Sequence, residues 1–242
     1  MAPAARQSVI TVGPAVYEAW RATPLGALTE RLEHSLLLRT AGRLNGLHVL
    51  DVGAGDGTLA VEAAKRGAAV TGVDPDTAML AAAAVKARVA GVDLHLVSGC
   101  AEQLPFPDGT FELVFAVTVL CFVRDAGRAI KEMARVLEPG GCLILGELNR
   151  WSLWAAIRRV KGWLGNETWR GAHFRTASRL RRLMADAGLA VASVEGAIFY
   201  PPAAPVARIL ARWDEGWGRR TTFGAAFLVI GARKSREGAV RG

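Results

Sequence analysis

The chain has 242 residues, 51% of them hydrophobic and 21% charged, with a formal net charge of +8. That is apolar mass for one α/β core with a cap, and too little for a second independent domain, so residues 1–242 are expected to form a single domain. The start MAPAARQSVI lacks a basic stretch leading into an apolar one, and the longest strongly apolar run, Leu113 to Val123, is too short to cross a bilayer, so a cytoplasmic location is expected.

The first elements in chain order are one or two helices within residues 14–43, interrupted at Pro24 and Gly26. They are read as an N-terminal helical cap covering residues 1–45, in which Tyr17 and Trp20 serve either a ligand pocket or plain core packing. From Leu47 the apolar period alternates: strand 47–52, helix 58–66, strand 69–74, helix 77–89, strand 93–97, strand 111–117, helix 125–137 and strand 141–147. Pro139-Gly140-Gly141 reads as a helix stop followed by a strand start. Helix 176–188, a strand near 190–200, a helix around 203–217 and a strand near 222–231 follow. Such alternation predicts an α/β fold with a doubly wound, mostly parallel sheet and helices on both faces. The expected parts are a core over 46–148, an insertion over 149–175, C-terminal helices and edge strands over 176–232, and a basic tail over 233–242.

The chemistry concentrates at VLDVGAGDGTLA, residues 49–60, and VTGVDPD, residues 70–76. A strand runs into Asp51, and Gly53, Gly55 and Gly57 follow before the helix begins at Thr58. Alternating glycines remove the β-carbons that would hold a ligand away from the main chain. Asp74 ends the next strand, where a carboxylate can accept hydrogen bonds from a ribose diol, so an adenosine-containing cofactor is implied. Thr58 stands where the dinucleotide fingerprint needs its third glycine. A pyrophosphate there would also meet Asp51 and Asp56, whereas the ammonium and sulfonium of S-adenosyl-L-methionine turn both carboxylates into favourable partners. Charge selects the sulfonium cofactor.

These motifs resemble the class I S-adenosylmethionine-dependent methyltransferases, within them the group similar to the ubiquinone and menaquinone biosynthesis C-methyltransferases. SGCAEQLPFPDGTFELVFAVTVLCFV, residues 98–123, and RVLEPGGCLILGE, residues 135–147, carry the resemblance over roughly residues 45–148. It implies a Rossmann-like seven-stranded sheet, mostly parallel, with the last two strands paired antiparallel at one edge. It also implies a cofactor site made of Asp51, Gly53, Ala54, Gly55, Gly57, Asp74, Pro75, Cys100, Ala101, Glu102 and Val117, closed by Tyr17 from the cap. The family usually has Asp before the adenine-lining Ala, where this chain has Cys100. It commonly opens the fourth strand with Phe-Asp, where this chain has Phe111-Glu112.

Residues 149–242 hold 17 Lys and Arg against 6 Asp and Glu, and six of the seven tryptophans lie between 151 and 217. On a helix, Leu153, Ile157, Val160 and Leu164 form one stripe and Trp151, Trp154, Arg158 and Lys161 the neighbouring face, so the aliphatic stripe is expected to pack while the other face is aromatic and basic. The segment supports three readings: a substrate lid, a peripheral membrane contact through 150–164, or a packed cover. Methyl transfer requires placement and water exclusion, with a general base only where the acceptor must lose a proton. His173, Glu147 and Glu33 are the candidates, while His34 reads as surface and His48 and His95 sit away from the strands' carboxyl ends; no catalytic residue is assigned. Cys100, Cys121 and Cys142 lack the spacing of a disulfide framework or a zinc site, so no metal is expected. The preferred partner is a small apolar, aromatic or lipid-like acceptor methylated on O, C or N. An RNA substrate and a non-catalytic cofactor-binding subunit are the rivals, and the missing D/N-P-P-Y/F signature and Pro-Cys nucleophile argue against nucleic acid. The oligomeric state is not legible.

Overall fold

A computed structural model of the protein describes residues 13–236. Cap residues 1–12 and tail residues 237–242 lie outside the described residues.

The elements in chain order are α1 (Pro14–Arg21), α2 (Pro24–Ala41), β1 (His48–Val52), α3 (Thr58–Ala64), β2 (Ala69–Asp74), α4 (Thr77–Ala90), β3 (Leu94–Ser98) and β4 (Phe111–Val117). They continue with α5 (Ala126–Val136), β5 (Leu137–Leu148), α6 (Leu153–Trp163), α7 (Glu167–Arg170), α8 (Ala177–Asp186), β6 (Leu189–Ala197), α9 (Ala204–Gly218) and β7 (Phe227–Lys234). One seven-stranded sheet runs β3-β2-β1-β4-β5-β7-β6. The pairs from β3 through β5 are parallel, and β7 runs antiparallel to both β5 and β6. The Rossmann-like sheet with antiparallel pairing at one edge is therefore present; the reversed strand is β7, with β6 outermost.

Successive residues of a strand face opposite sides, and both sides of this sheet are covered. Leu50, Val52 and Val114 pack with Ile130 and Met133 of α5 and Leu180 and Met184 of α8, whereas Val49, Phe115 and Ile144 pack with Leu36 and Leu37 of α2 and Leu59 of α3. Each fully buried Leu or Ile contributes about 1.5–3 kcal/mol relative to exposure. Local signals start the helices: Thr23, Asp76, Asp125, Ser152 and Thr176 each accept a backbone N–H from the first turn of α2, α4, α5, α6 and α8.

Three departures from the sequence reading have physical causes. Pro139-Gly140-Gly141 lies inside β5, because Leu137 already pairs with Phe111 and the register shifts before Leu113 meets Cys142. Gly140, at φ +87°, absorbs that irregularity. The last strand starts at Phe227 rather than near 222, since residues 221–226 form a turn at Gly224 held by the buried Asn149, whose amide donates to Thr222 O and Ala225 O. Arg233 and Lys234, assigned to a basic tail, belong to β7, and Lys234 Nζ donates to Leu137 O at 2.6 Å.

The insertion is closed at its base, where Asn149 bridges Arg175 and Arg150 N donates to Arg175 O. Its helix α6 is turned opposite to expectation. Leu153, Val160 and Leu164 are exposed, Trp154 is buried with Nε1 donating to Tyr200 O, and Arg158 faces inward. Packing explains the inversion: Gly162 approaches Trp169 O so closely that a β-carbon would sit 2.8 Å from it. The indole of Trp154 also finds both an apolar bed and an acceptor inside.

Candidate active site

The order of the sheet reverses direction between β1 and β4, and a crevice opens at the carboxyl ends of such neighbouring parallel strands. The glycine turn forms one wall. Gly53 N and Ala54 N donate to Val73 O at 2.8 and 3.1 Å, which ties the end of β1 to β2. The turn then uses three left-handed residues, Gly53, Gly55 and Gly57, for different reasons. A β-carbon at Gly53 would meet Val119 Cγ2 at 2.5 Å, and one at Gly57 would meet Ala83 Cβ at 2.7 Å, so these two permit close packing. A β-carbon at Gly55 would enter open space. Gly55 thus presents bare main chain to the crevice.

Two acids border this bare backbone. Asp51, 3% exposed at the end of β1, receives no hydrogen bond or ion pair from any other described residue. Desolvation pushes its carboxyl up to about 7, with neighbouring His34 opposing and Asp74 adding to the shift. Asp74 is oriented by the main chain: Oδ2 accepts from Gly55 N at 2.9 Å and Oδ1 from Asp76 N at 2.8 Å. Burial raises its pKa and these two bonds restrain the rise. Pro75 is exposed beside it.

Asp56 is differently employed. It accepts from Arg21 Nη1 at 2.5 Å and Lys86 Nζ at 2.6 Å, while Thr58 Oγ1 donates to its other oxygen. These bonds overcome desolvation and hold its carboxyl down at about 2. Arg21 also meets Glu30 at 2.9 Å. The sequence reading placed Asp56 beside the ligand; in the structure it fastens the end of α1 and the middle of α4 to the glycine turn.

The opposite wall comes from the loop after β4. Thr118 adopts φ +53°, sparsely populated for a β-branched residue, and its N–H donates to Gly146 O at 2.7 Å. Glu147, 1% exposed at the end of β5, accepts from Leu120 N at 2.7 Å. Burial pushes Glu147 up to about 7, yet its carboxyl is committed to main-chain N–H groups of this loop, which makes it an anchor rather than a free base. Arg175 caps Leu120 O, and His173 N donates to Cys121 O at 2.8 Å, leaving the His173 side chain exposed. His34 is engaged with Glu62 Oε2 at 2.9 Å. At the β3 end, Glu102 Oε1 accepts from Arg124 N at 3.1 Å, Ala101 is buried, Cys100 pairs with Gln103 and Val117 closes β4.

Tyr17 and Glu33 from the cap and Arg158 from α6 are each partly buried and within electrostatic range of one another. Desolvation raises Glu33 to about 7 and raises the Tyr17 phenol. Thr118 had no distinguishing sequence signal, whereas Arg158 belonged to the aromatic, basic face of the insertion. Asp56 had one, since a carboxylate inside a glycine turn must find a cation when the turn is covered.

A crevice with bare main chain, a carboxylate that has no partner among the described residues and a second carboxylate fixed by the backbone suits a ligand with a cationic end and a diol, and repels a pyrophosphate. Comparisons with known proteins agree. A methyltransferase domain family matches residues 50–145. The chain is 32% identical over 168 residues to a ubiquinone biosynthesis O-methyltransferase of Azorhizobium caulinodans, covering 67% of this chain and 66% of that protein, just under two thirds of its length. An uncharacterised protein of Mycobacterium tuberculosis is 31% identical over 219 residues, covering 90% of this chain and 71% of its own. A crystal structure from Thermotoga maritima, described as a SAM-dependent methyltransferase, possible histamine N-methyltransferase, superposes with a TM-score of 0.65 at 28% identity, covering 90% of this chain and 94% of that one. The chain belongs to the class I S-adenosylmethionine-dependent methyltransferases, whose cofactor is S-adenosyl-L-methionine.

Proposed function

We propose that the protein transfers a methyl group from S-adenosyl-L-methionine to a small aromatic or lipid-like acceptor held between the cap and the insertion. The observation that carries this reading is the buried Asp51 carboxylate, which has no hydrogen-bond or ion-pair partner among the described residues, beside the bare backbone of Gly55. When bound, the cofactor supplies a methyl group on a positive sulfur that leaves as a neutral thioether. In this reading Asp51 holds the cationic methionine end, Gly53, Ala54 and Gly55 lie along it, and Asp74 with Pro75 meets the ribose. Cys100, Ala101 and Glu102 border the adenine, while Val117 and Tyr17 bound the methyl end. Gly57 supports the turn through its packing on Ala83.

The chain's own contribution to rate is placement and exclusion of water. Arg21 locks α1 over the glycine turn through Asp56, which carries Tyr17 across the crevice. Where the acceptor must shed a proton, Glu33 is better suited than Glu147, whose carboxyl accepts from Leu120 N, and than His173, whose side chain is exposed, because the Glu33 carboxyl is partly buried and receives no hydrogen bond from a described residue.

The relative named as a ubiquinone biosynthesis O-methyltransferase favours an oxygen acceptor, and the Thermotoga maritima protein, described as a possible histamine N-methyltransferase, a nitrogen one. Trp151, 58% exposed, and Trp163, 83% exposed, with Arg150 stacked on Trp151, support a peripheral lipid contact as the route of an apolar acceptor. No helix among the described residues is long and apolar enough to cross a membrane. The test is incubation with methyl-labelled cofactor and cell extract, followed by separation of lipid, small-molecule and RNA fractions. Label in the lipid or small-molecule fraction supports the proposal, and label confined to RNA overturns it.

A further inference from the structure

The glycine turn and the loop after β4 meet at one point. Val119 of the loop lies over Gly53, close enough to exclude a β-carbon there. The placement of Val119 therefore sets the room available at the Asp51 end of the turn.

This loop is held from outside itself. It opens at Thr118, whose left-handed backbone at φ +53° persists only where surrounding structure enforces it. Leu120, two residues on, is gripped at both backbone groups: its N–H donates to Glu147 Oε1 at 2.7 Å, and its carbonyl accepts from Arg175 Nη1. The carbonyl of Cys121 accepts from His173 N at 2.8 Å. Glu147 belongs to β5, but His173 and Arg175 come from the far end of the insertion. The main chain of Arg175 also closes the base of that insertion, since Arg150 N donates to its carbonyl at 3.0 Å. One residue thus joins the insertion to the loop that covers Gly53.

An anion takes the N–H of Leu120 and a cation its carbonyl, so both bonds are charge-assisted and stronger than neutral ones. Leu120 is fully buried, whereas Arg175 is half-buried. Truncating Arg175 removes a clamp from the loop and leaves the apolar core filled. Asp74, by contrast, is oriented by Gly55 N and Asp76 N, with no bond to this loop.

We infer that Arg175 is a positioning residue for the methyl donor: through Leu120 and Val119 it sets the wall that receives the methionine arm at Gly53, and it leaves the ribose side at Asp74 unchanged. The inference rests on the functional reading above and deepens it by making the insertion part of the cofactor site.

The experiment is calorimetry on the full chain with two ligands, S-adenosylmethionine and methylthioadenosine, which keeps the nucleoside and sulfur but lacks the amino-acid arm. The unaltered protein is expected to bind both, the complete cofactor about tenfold or more tightly. Arg175→Ala is expected to weaken S-adenosylmethionine about five- to tenfold and methylthioadenosine less than about twofold. Arg175→Lys, which restores a cation without the guanidinium fork, is expected to recover part of the loss, and it carries the same comparison should the alanine variant not fold. A general disturbance of the fold would weaken both ligands together. Parallel loss of both, loss of neither, or failure of the unaltered protein to bind the truncated ligand overturns the inference. Failure of the unaltered protein to bind S-adenosylmethionine overturns the functional reading itself.

Discussion

At the start of the glycine turn Asp51 stands buried with no partner among the described residues and a carboxyl pushed up to about 7, whereas at its end Asp56 is clasped by two cations and held at about 2. Both acids flank the same backbone, and a sequence reading gives them the same work. The structure separates them: the inner acid is desolvated with no partner among the described residues, and the outer one fastens Arg21 of the cap and Lys86 of α4. Free charge thus marks the ligand side of the turn, and satisfied charge its structural side.

The contrast can be broken from either side. The largest effect is expected at Gly57, where valine would press on Ala83 in a left-handed backbone. Gly57→Val should cost about 2–4 kcal/mol of stability, read as a lowered denaturation midpoint. Asp74→Ala should weaken cofactor binding by about 1–3 kcal/mol in calorimetry, since it removes a carboxylate already oriented by Gly55 N and Asp76 N. Unchanged affinity would remove Asp74 from the site. Asp56→Asn should cost about 1–2 kcal/mol of stability and hasten cofactor release in stopped-flow measurements, because α1 loses its tie to the turn. An unchanged release rate would show that the tie does not hold the cap closed.

The smallest effect is a pH dependence, and the two acids give it opposite signs. Asp56 is lowered, so its stabilisation is present above its unfolded value and is lost as pH falls through about 2. Asp51 is raised, so its contribution is full below its unfolded value and is lost as pH rises through about 7. A cationic ligand prefers the ionised acid, so cofactor affinity should rise severalfold between pH 6 and 8, and Asp51→Asn should flatten that rise.

How far the sequence disclosed these features follows from the forces that set each one. The alternation of strands and helices, the mostly parallel sheet implied by it and the turn at Gly53 to Gly57 depend on local period and backbone freedom, and the observed elements fall close to expectation. The orientation of α6 depended on tertiary packing. Its aliphatic stripe and its Trp-Arg face were correctly separated, but Gly162 against Trp169 and Trp154 against Tyr200 left Leu153, Val160 and Leu164 exposed and buried Trp154, while Trp151 stays outside. Glu147 illustrates a further limit. An acid at a strand's carboxyl end reads as a candidate base, and only the fold reveals that the N–H of Leu120 consumes it.

The most direct test is a calorimetric titration of S-adenosylmethionine into the unaltered protein and into Gly55→Val. The added side chain enters the crevice, where a β-carbon meets no protein atom within 4 Å, at an expected strain of about 1–2 kcal/mol in the left-handed backbone. One equivalent bound by the unaltered protein and none by a folded Gly55→Val chain is the predicted result; equal binding by both would contradict the account.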